Sequence, residues 1–531
     1  MRLLDMNYIN VSSFLHFFLI IICTCLGVIF FFRIKFFALR RKHHSIINSS
    51  SEDNNNANDE KTNNNSTNTS KRHDKKSIGF YHPHCSAGGG GERVLWKAIE
   101  SLGELYLEGT LKDISKVVIY TLDAQHSQYH QETLRHVKER FSINITPSLP
   151  LTFIHLSPLP ASSTSTTRKF TLIAESIDSI KLAYQALHLH TPTIYIDTTG
   201  CAFTYLVAKV LAACKVIAYV HYPTISTDML QLVWQRRPSY NNQSQISQST
   251  FYSIAKLIYY SIFAIAYGIT GSLADLVMTN STWTYNHIIK LWTFSFHKNK
   301  NRMKIVYPPC DTAGFQSMQH LKQRNYMILS IGQFRPEKDH ELQIKSFAKL
   351  LSNYPDLKQK LGKREEKLQL VLIGSCRNSN DEQLVSRLQK LVDSLDLNPF
   401  VQFVINQPFD SIKTYFQKSS IGIHTMWNEH FGIGIVEMMA AGLITVAHNS
   451  GGPKSDIIKE NETGYLASTK EEYANALYKI LNLQLLNEEG QNEDHNGFFV
   501  HQMRIKASEY SNNFSDQVFM DSFKEHILDI Y

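Results

Sequence analysis

From Ser77 onward the chain repeats one pattern: a short, continuous apolar run, then a polar turn, then a longer stretch with helical spacing. The runs fall at Ser77–His82, Lys116–Thr121, Leu151–Leu156, Thr193–Asp197, Val216–His221, Asp275–Thr279 and Lys304–Tyr307. After a break they resume at Tyr326–Ile331, Leu368–Gly374, Val401–Ile405, Ile421–His424 and Leu443–His448. Runs without polar alternation are strands buried on both faces, and strands separated by helices form parallel, doubly wound sheets. The break, Asp311 to Lys322 behind the stiff pair Pro308-Pro309, divides the body into a domain over 77–310 and a second over 311–485. Residues 486–531 read as helices, and no short repeat is present.

Two stretches depart from this pattern. Phe14–Phe32 is nineteen residues without Asp, Glu, Lys or Arg, followed by Arg33, Lys35, Arg40, Arg41 and Lys42. It is long enough to cross a bilayer, and the flanking charges predict a cytoplasmic body. A signal peptide would carry its charge on the other side, with a small-residue cleavage site. Residues 1–44 are therefore expected to be a membrane anchor, and the Asn/Ser/Thr-rich stretch 45–76 a disordered linker. The second exception, Phe251–Gly271, is apolar and aromatic except for Lys256. It has three readings: a second span, a helix lying on the membrane surface, or an ordinary buried helix. A second span would put the Gly88 loop and Glu429 on opposite sides of the bilayer, which favours the surface helix.

Composition narrows the class. With 531 residues, 43% hydrophobic and 19% charged, the chain is long enough for two or three full cores. A net charge of +7 without basic stripes gives nucleic-acid binding little support. The seven cysteines lack zinc or disulfide spacing, in keeping with a reducing compartment, where sequons such as those at Asn65 and Asn280 stay unmodified.

Candidate chemistry collects just beyond strand ends, where open parallel sheets bind ligands. Behind the Ile421 strand lies a polar loop with Glu429, then Phe431, Gly432 and Gly434, then a short helix from about Ile433 to Ala441 carrying Glu437 and ending at Gly442. The Leu443 strand runs into Asn449-Ser-Gly-Gly-Pro453. Free N–H groups at a helix start suit a diphosphate, and two carboxylates eight residues apart suit sugar hydroxyls. Taken singly, Glu429 could be a solvated loop residue and Glu437 a partner of the helix dipole. In Gly332-Gln-Phe-Arg335-Pro-Glu-Lys338 two cations follow a strand and can counter a diphosphate, unless they are merely solvated. Gly374 ends another strand. In the first domain, Gly88, Gly89, Gly90 and Gly91 with Glu92 sit between a strand and a helix predicted over Val94–Glu100. Neither a P-loop Lys-Ser/Thr nor a dinucleotide fingerprint is present, so ATP and NAD are poorer readings. Asp197 and His221 also stand at strand ends; by position alone His221 is as readily structural as functional.

The stretch with Glu429, seven intervening residues and Glu437, followed by a Gly-Gly loop, resembles the signature of retaining GT-B glycosyltransferases. The resemblance implies an α/β fold of two Rossmann-like domains facing a cleft. It implies a nucleotide-sugar donor, with Glu429 on the transferred sugar, Glu437 on the ribose, and Gly332, Gly374, Phe431, Gly432 and Gly434 around the donor. His221 follows a strand as a contact His does in the family, and the Gly88–Glu92 element would close over donor and acceptor. Family members show Gly-Arg-x4-Lys after the first strand of the second domain. Here Gln333 holds the Arg position, so Lys338 carries over directly and Arg335 as a substitute. The last helix should cross back to the first domain.

Within the family, YHPHCSAGGGGERVLW, YVHYPTISTDM, IGQFRPEKDH and TMWNEHFGIGIVE are similar to the GDP-mannose-dependent α-1,2-mannosyltransferases of dolichol-linked oligosaccharide assembly. That implies GDP-mannose as donor, a dolichol-pyrophosphate trimannosyl oligosaccharide as acceptor, and a single-span protein of the endoplasmic reticulum membrane with cytosolic catalytic domains. Other mannosyltransferases of the pathway are expected as partners. No Asp-x-Asp sequence offers a diphosphate-bound metal, so neither metal nor cofactor is expected. Two alternatives stay open: a GT-B enzyme with another donor or a soluble acceptor, and a non-catalytic nucleotide-sugar-binding scaffold.

Overall fold

The computed structural model describes residues 24, 26–41, 75–126, 128–159, 171–234, 250–292, 302–318, 324–362, 368–488 and 496–531. Most of the expected span over 14–32 and almost all of the linker over 45–76 lie outside these residues.

Continuous apolar runs produce two wholly parallel sheets. The first has seven strands in the order β3-β2-β1-β4-β5-β6-β7: β1 Lys76–Tyr81, β2 Ile114–Thr121, β3 Leu151–His155, β4 Ile194–Asp197, β5 Lys215–Val220, β6 Leu276–Thr279 and β7 Met303–Ile305. The second has six, in the order β10-β9-β8-β11-β12-β13: β8 Asn325–Ile331, β9 Gln369–Gly374, β10 Val401–Ile405, β11 Ser419–Ile423, β12 Ile444–His448 and β13 Gly464–Ala467. Each strand pair is parallel, for instance Phe80 beside Ile196 and Leu329 beside Gly422. Both orders start in the middle and reverse, as in Rossmann-type sheets, with switch points between β1 and β4 and between β8 and β11. β13 is an addition to the predicted strands; its four residues, Gly464–Ala467, contain no β-branched side chain to reveal it.

Alternate residues of each strand feed opposite cores. Val117 and Ile119 of β2 enter one cluster, Val118 and Tyr120 the other. The helices covering the first sheet are α1 (26–41), α2 Gly90–Leu107, α3 Tyr129–Phe141, α4 Thr171–Leu189, α5 Thr227–Trp234, α6 Thr250–Gly271 and α7 Thr282–Leu291. Those of the second part are α8 Thr312–Gln316, α9 His340–Asn353, α10 Pro355–Gly362, α11 Ser379–Ser394, α12 Phe409–Lys418, α13 Ile433–Ala440, α14 Lys470–Glu488 and α15 Asn496–Ser511, followed by α16 Asp516–Leu528.

The crossing back to the first domain is made by α16. Its Phe519, Met520, Phe523 and Ile527 join the core beneath α2, while Val500 and Met503 of α15 stay in the core of the second sheet. Asp516 receives two hydrogen bonds from Arg93 Nη2 at 2.9 and 2.8 Å, and Lys97 lies 3.2 Å away.

One boundary differs from the sequence reading, and two helices add detail to it. α2 begins at Gly90 rather than Val94, so half of the glycine run is helix. The cations behind the apolar run do not all face solvent: Arg33 donates to the Val210 carbonyl, Lys35 to the Tyr184 hydroxyl, and Arg40 to the Pro192 and Ala212 carbonyls. Finally, α6, which is long and apolar enough to cross a membrane, packs one side on the domain. Ser253, Tyr260, Phe263, Tyr267 and Thr270 are buried on the domain side, whereas a row of isoleucines faces outward.

Candidate active site

The two switch points put the candidate loops opposite each other. After β8 the chain makes a short 3-10 turn, Pro336–Lys338, and Asp339 takes a left-handed conformation (φ 47°) to cap α9 through Leu342 N–H. The Thr425 hydroxyl, just beyond β11, donates to the carbonyls of Lys338 and Asp339 at 2.8 and 2.9 Å, so the two loops are tied together.

On that frame the Lys338 ammonium lies 2.5 Å from Glu429 Oε2, and His424 Nε2 lies 3.1 Å from the same oxygen. His430 N–H donates to Oε1. Burial alone would raise the Glu429 pKa, but Lys338 and then His424 hold it well below the usual carboxylate range. Glu429 is therefore an anion at neutral pH, poised at the end of β11.

Its loop is pinned from beneath. Asn428 is left-handed (φ 51°), its N–H donates to the Ser450 hydroxyl at 2.7 Å, and Gly452 N–H donates to the Glu429 carbonyl at 2.8 Å. A Cβ on Gly451 would sit 2.2 Å from the Glu429 carbonyl oxygen, and one on Gly452 2.6 Å from Phe431 Cα. The Gly-Gly loop thus lies under the Glu429 loop and lets it approach. Phe431 was expected at the donor, but its ring is buried against Tyr307 and Phe514 at 5.8 and 5.5 Å and anchors the loop instead. Gly374 likewise has a packing reason: a Cβ there would come within 2.1 Å of the Gly332 carbonyl oxygen. Gly432 (φ 119°) opens α13, and Gly434 has room beside it.

Glu437 lies one turn into α13. Burial pushes its carboxyl up to about 7, with Arg93 opposing the rise and Asp311 and Asp516 adding to it. It thus shares the field of Arg93 and Asp516 at the domain seam, while Glu429 pairs with Lys338 and His424. Arg335 bonds Glu337 at 3.3 Å and stands apart from that cluster.

The first domain closes the arrangement. Glu92 accepts from Gly89 N–H at 2.6 Å and faces His82 Nε2 at 3.3 Å, and His82 in turn meets the Thr198 hydroxyl. Burial works against the Glu92 charge, yet His82 and the Gly89 N–H keep its pKa low. Glu92 therefore braces the glycine run. Gly88 sits beside Arg140, Gly91 lies within 3.5 Å of His221 Nε2 by a Cβ placed on it, and one on Gly90 would meet the Ile433 side chain of α13 at 2.8 Å. The glycine run thus touches the opposite domain. His221 donates Nε2–H to the Thr198 carbonyl at 3.0 Å, leaving Nδ1 as the acceptor; burial first, then His82, lowers its pKa to about 4, so it is neutral.

Sequence reasoning missed the bridges across the cleft. Asn428 donates to Asp228 at 2.7 Å, Asp456 accepts from Thr282 N–H and the Tyr307 hydroxyl, and His430 stacks on Tyr222 (5.0 Å, 19°) beside Trp283. His424 was missed too, although it ends the predicted strand.

Two Rossmann-like domains with their switch points facing across such a cleft define a GT-B glycosyltransferase. Solved structures with this fold include Anabaena HepE in complex with UDP and glucose (TM-score 0.54, 15% identity, covering 86% of this chain and 100% of that one). Sucrose-phosphate synthase from Thermosynechococcus elongatus is another (TM-score 0.56, 15% identity, 86% and 99%). Residues 75–292 match the family model "ALG11 mannosyltransferase N-terminus", and residues 315–496 match "Glycosyl transferases group 1".

The GDP-Man:Man(3)GlcNAc(2)-PP-Dol alpha-1,2-mannosyltransferase of Xenopus laevis is 46% identical over 77% of this chain and 81% of its own length. Those of Homo sapiens (45%; 76% and 80%) and Dictyostelium discoideum (41%; 85% and 84%) are similar over comparable shares. The chain belongs to this family of mannosyltransferases.

Proposed function

We propose that this protein transfers mannose from GDP-mannose, in α-1,2 linkage and with retention, to the trimannosyl oligosaccharide carried on dolichol pyrophosphate. The observation that carries the site assignment is the Lys338–Glu429–His424 cluster at the β8/β11 switch point, directly across from the glycine run and His221. Family membership supports the donor, the acceptor and the linkage. The anchor-like run at 14–32 and its flanking cations support a site on the cytosolic face of the endoplasmic reticulum.

In this reading the diphosphate lies over the start of α13, where the Gly432–Gly434 backbone leaves N–H groups free to face it. Lys338 turns from Glu429 to the diphosphate oxygens, and Arg335 reaches them after releasing Glu337. Glu429, still held by His424, then accepts from a mannose hydroxyl, while Glu437 takes the ribose. The acceptor hydroxyl attacks C1 on the face from which GDP leaves. The C1–O bond to the diphosphate breaks as the new C1–O bond forms, and the hydroxyl proton passes to the departing diphosphate oxygen. Neutral His221 accepts through Nδ1 from a substrate hydroxyl beside the glycine run. With cations of the chain meeting the leaving group, transfer proceeds without a metal, and EDTA is expected to leave the rate unchanged.

The test is transfer of radiolabelled mannose from GDP-mannose to a lipid-pyrophosphate trimannosyl acceptor. Wild type should give a product that an α-1,2-mannosidase cleaves. Glu429→Ala and Lys338→Ala should each lower the rate about 100-fold or more, the scale set by removing one preorganised electrostatic partner, with unchanged circular dichroism. Near-normal rates in either variant would remove that residue from the reaction.

A further inference from the structure

Two stretches that the sequence sets apart, YVHYPTISTDM and TMWNEHFGIGIVE, meet across the cleft, and they meet on either side of Glu429. Asn428 Nδ2 donates to Asp228 Oδ2 at 2.7 Å, and the His430 ring lies on that of Tyr222 at 5.0 Å, 19° from parallel. Both chain neighbours of the site carboxylate are thus held by the first domain, although Glu429 itself belongs to the second.

Most of this hold comes from α7. Its His287 places Nε2 3.5 Å from Asp228 Oδ2, the same oxygen that Asn428 reaches. A carboxylate only accepts, so Nε2 carries the proton, and the Thr227 hydroxyl meets Nδ1 at 2.7 Å. His287, ahead of Asn428, holds the Asp228 pKa below the usual carboxylate value against the effect of burial. Trp283, one turn before His287, has its ring 4.2 Å from that of His287 and 5.4 Å from that of His430, so the contacts on the two sides of Glu429 form one continuous cluster. At its start α7 also donates Thr282 N–H to Asp456 at 3.0 Å, just behind the Gly-Gly loop that lies under Glu429.

The cluster acts on a backbone with few alternatives. Asn428 is left-handed (φ 51°), a turn that asparagine tolerates and most residues do not. Its N–H is fixed from beneath by Ser450, and its side chain from the first domain by Asp228. The two domains are joined independently by α16, through Asp516 and Arg93. What the cluster adds to that seam is the placement of Glu429.

We propose that Asp228 and His287 are positioning residues for mannosyl transfer: through Asn428 they let the first domain set where the second domain's Glu429 stands. The proposal rests on the transfer reading given above. In that reading GDP meets Lys338, Arg335 and the start of α13, all of the second domain, whereas Glu429 reaches its place on the mannose only with the first domain seated against it. Donor affinity and turnover are therefore separable.

The experiment uses the full chain in phosphatidylcholine vesicles and measures, for each variant, kcat and KM for GDP-mannose, the Kd of GDP, and hydrogen exchange across residues 425–432. Asp228→Ala should lower kcat roughly 10- to 100-fold, the range that a small misplacement of a reacting group produces, and leave the GDP Kd within about twofold. Exchange across 425–432 should quicken in the same variant. Asp228→Asn keeps an oxygen where both donors converge and should return kcat to within about threefold of wild type. His287→Phe, which keeps a ring against Trp283 but loses both nitrogen contacts, should fall between the two. Asn428→Gly preserves the left-handed turn, and adding it to Asp228→Ala should slow transfer no further than the worse single variant, because both remove one contact. Unchanged kcat and exchange in Asp228→Ala, multiplied losses in the double variant, or no recovery in Asp228→Asn overturns the proposal. A GDP Kd that weakens in step with kcat also overturns it, since that marks general damage to the donor site. If wild type transfers no mannose, the function proposed above fails, and exchange across 425–432 decides by itself whether the first domain holds that loop.

Discussion

Glu429 and Glu437 occupy opposite electrostatic situations although one motif supplies both. Glu429 is buried beside two nitrogen groups that favour its charge, so it stays ionised across the neutral range. Glu437 is buried with Asp311 and Asp516 nearby and only Arg93 opposing them, which raises its pKa to about 7. The folded state therefore favours protonated Glu437, and the stability this contributes is complete below the unfolded pKa of about 4.5 and lost as pH rises through 7. A shift of this size corresponds to roughly 3 kcal/mol at most. Glu437→Gln should accordingly melt with wild type at pH 5 and higher than wild type at pH 8. Parallel melting curves across that range would show that the carboxyl is not held in its neutral form.

At the scale of elements, the site depends on loops that lie on loops. Gly451 has φ 63° and no room for a Cβ over the Glu429 carbonyl. Gly451→Ala should then cost about 2–4 kcal/mol through backbone strain and displacement of the loop above. Denaturant unfolding measures the cost, and mannose transfer should fall further than the unfolded fraction explains, because Glu429 moves. The parallel strands, α13 and its Gly442 end (φ 81°) were legible from apolar runs and glycine placement, which are local signals. The resemblance assigned Glu429 and Lys338 separate roles at one donor; their direct pairing across 91 residues was not legible. What the Gly451-Gly452 loop supports, the inward turn of Phe431, and the bridge from Asn428 to Asp228 over 200 residues depend on tertiary approach. No spacing along the chain encodes them. α6 was ambiguous for a related reason: apolar content alone does not say what covers a helix, and the burial of Tyr260 and Tyr267 against the domain is a tertiary fact.

Across the whole molecule, two similar sheets become one enzyme through the seam between them. Besides the cleft bridges, α16 returns to the first domain and offers Asp516 to Arg93 and Lys97, whose side chains are each only 9% exposed. Arg93 also donates to the Pro309 carbonyl at the domain link and is the cation nearest Glu437, so one guanidinium touches the link, the returning helix and the field of the donor helix. Removing its partner leaves a buried guanidinium bonded only to carbonyls, with Glu437 at longer range, a change that typically costs about 3–5 kcal/mol. The loss in Asp516→Ala should be somewhat smaller, about 3 kcal/mol, because Lys97 retains Glu100 at 2.7 Å. The same substitution should free α16 for limited proteolysis before the sheets unfold, and it should raise the KM for GDP-mannose as Arg93 moves toward Glu437. Pairing it with Arg93→Met distinguishes a buried ion pair from simple loss of packing. If the pair matters as a pair, the double variant recovers part of the stability lost in Asp516→Ala, because no uncompensated guanidinium remains. If the two losses simply add, the seam is held by the apolar contacts of Phe519, Phe523 and Ile527 and the charges are incidental to it.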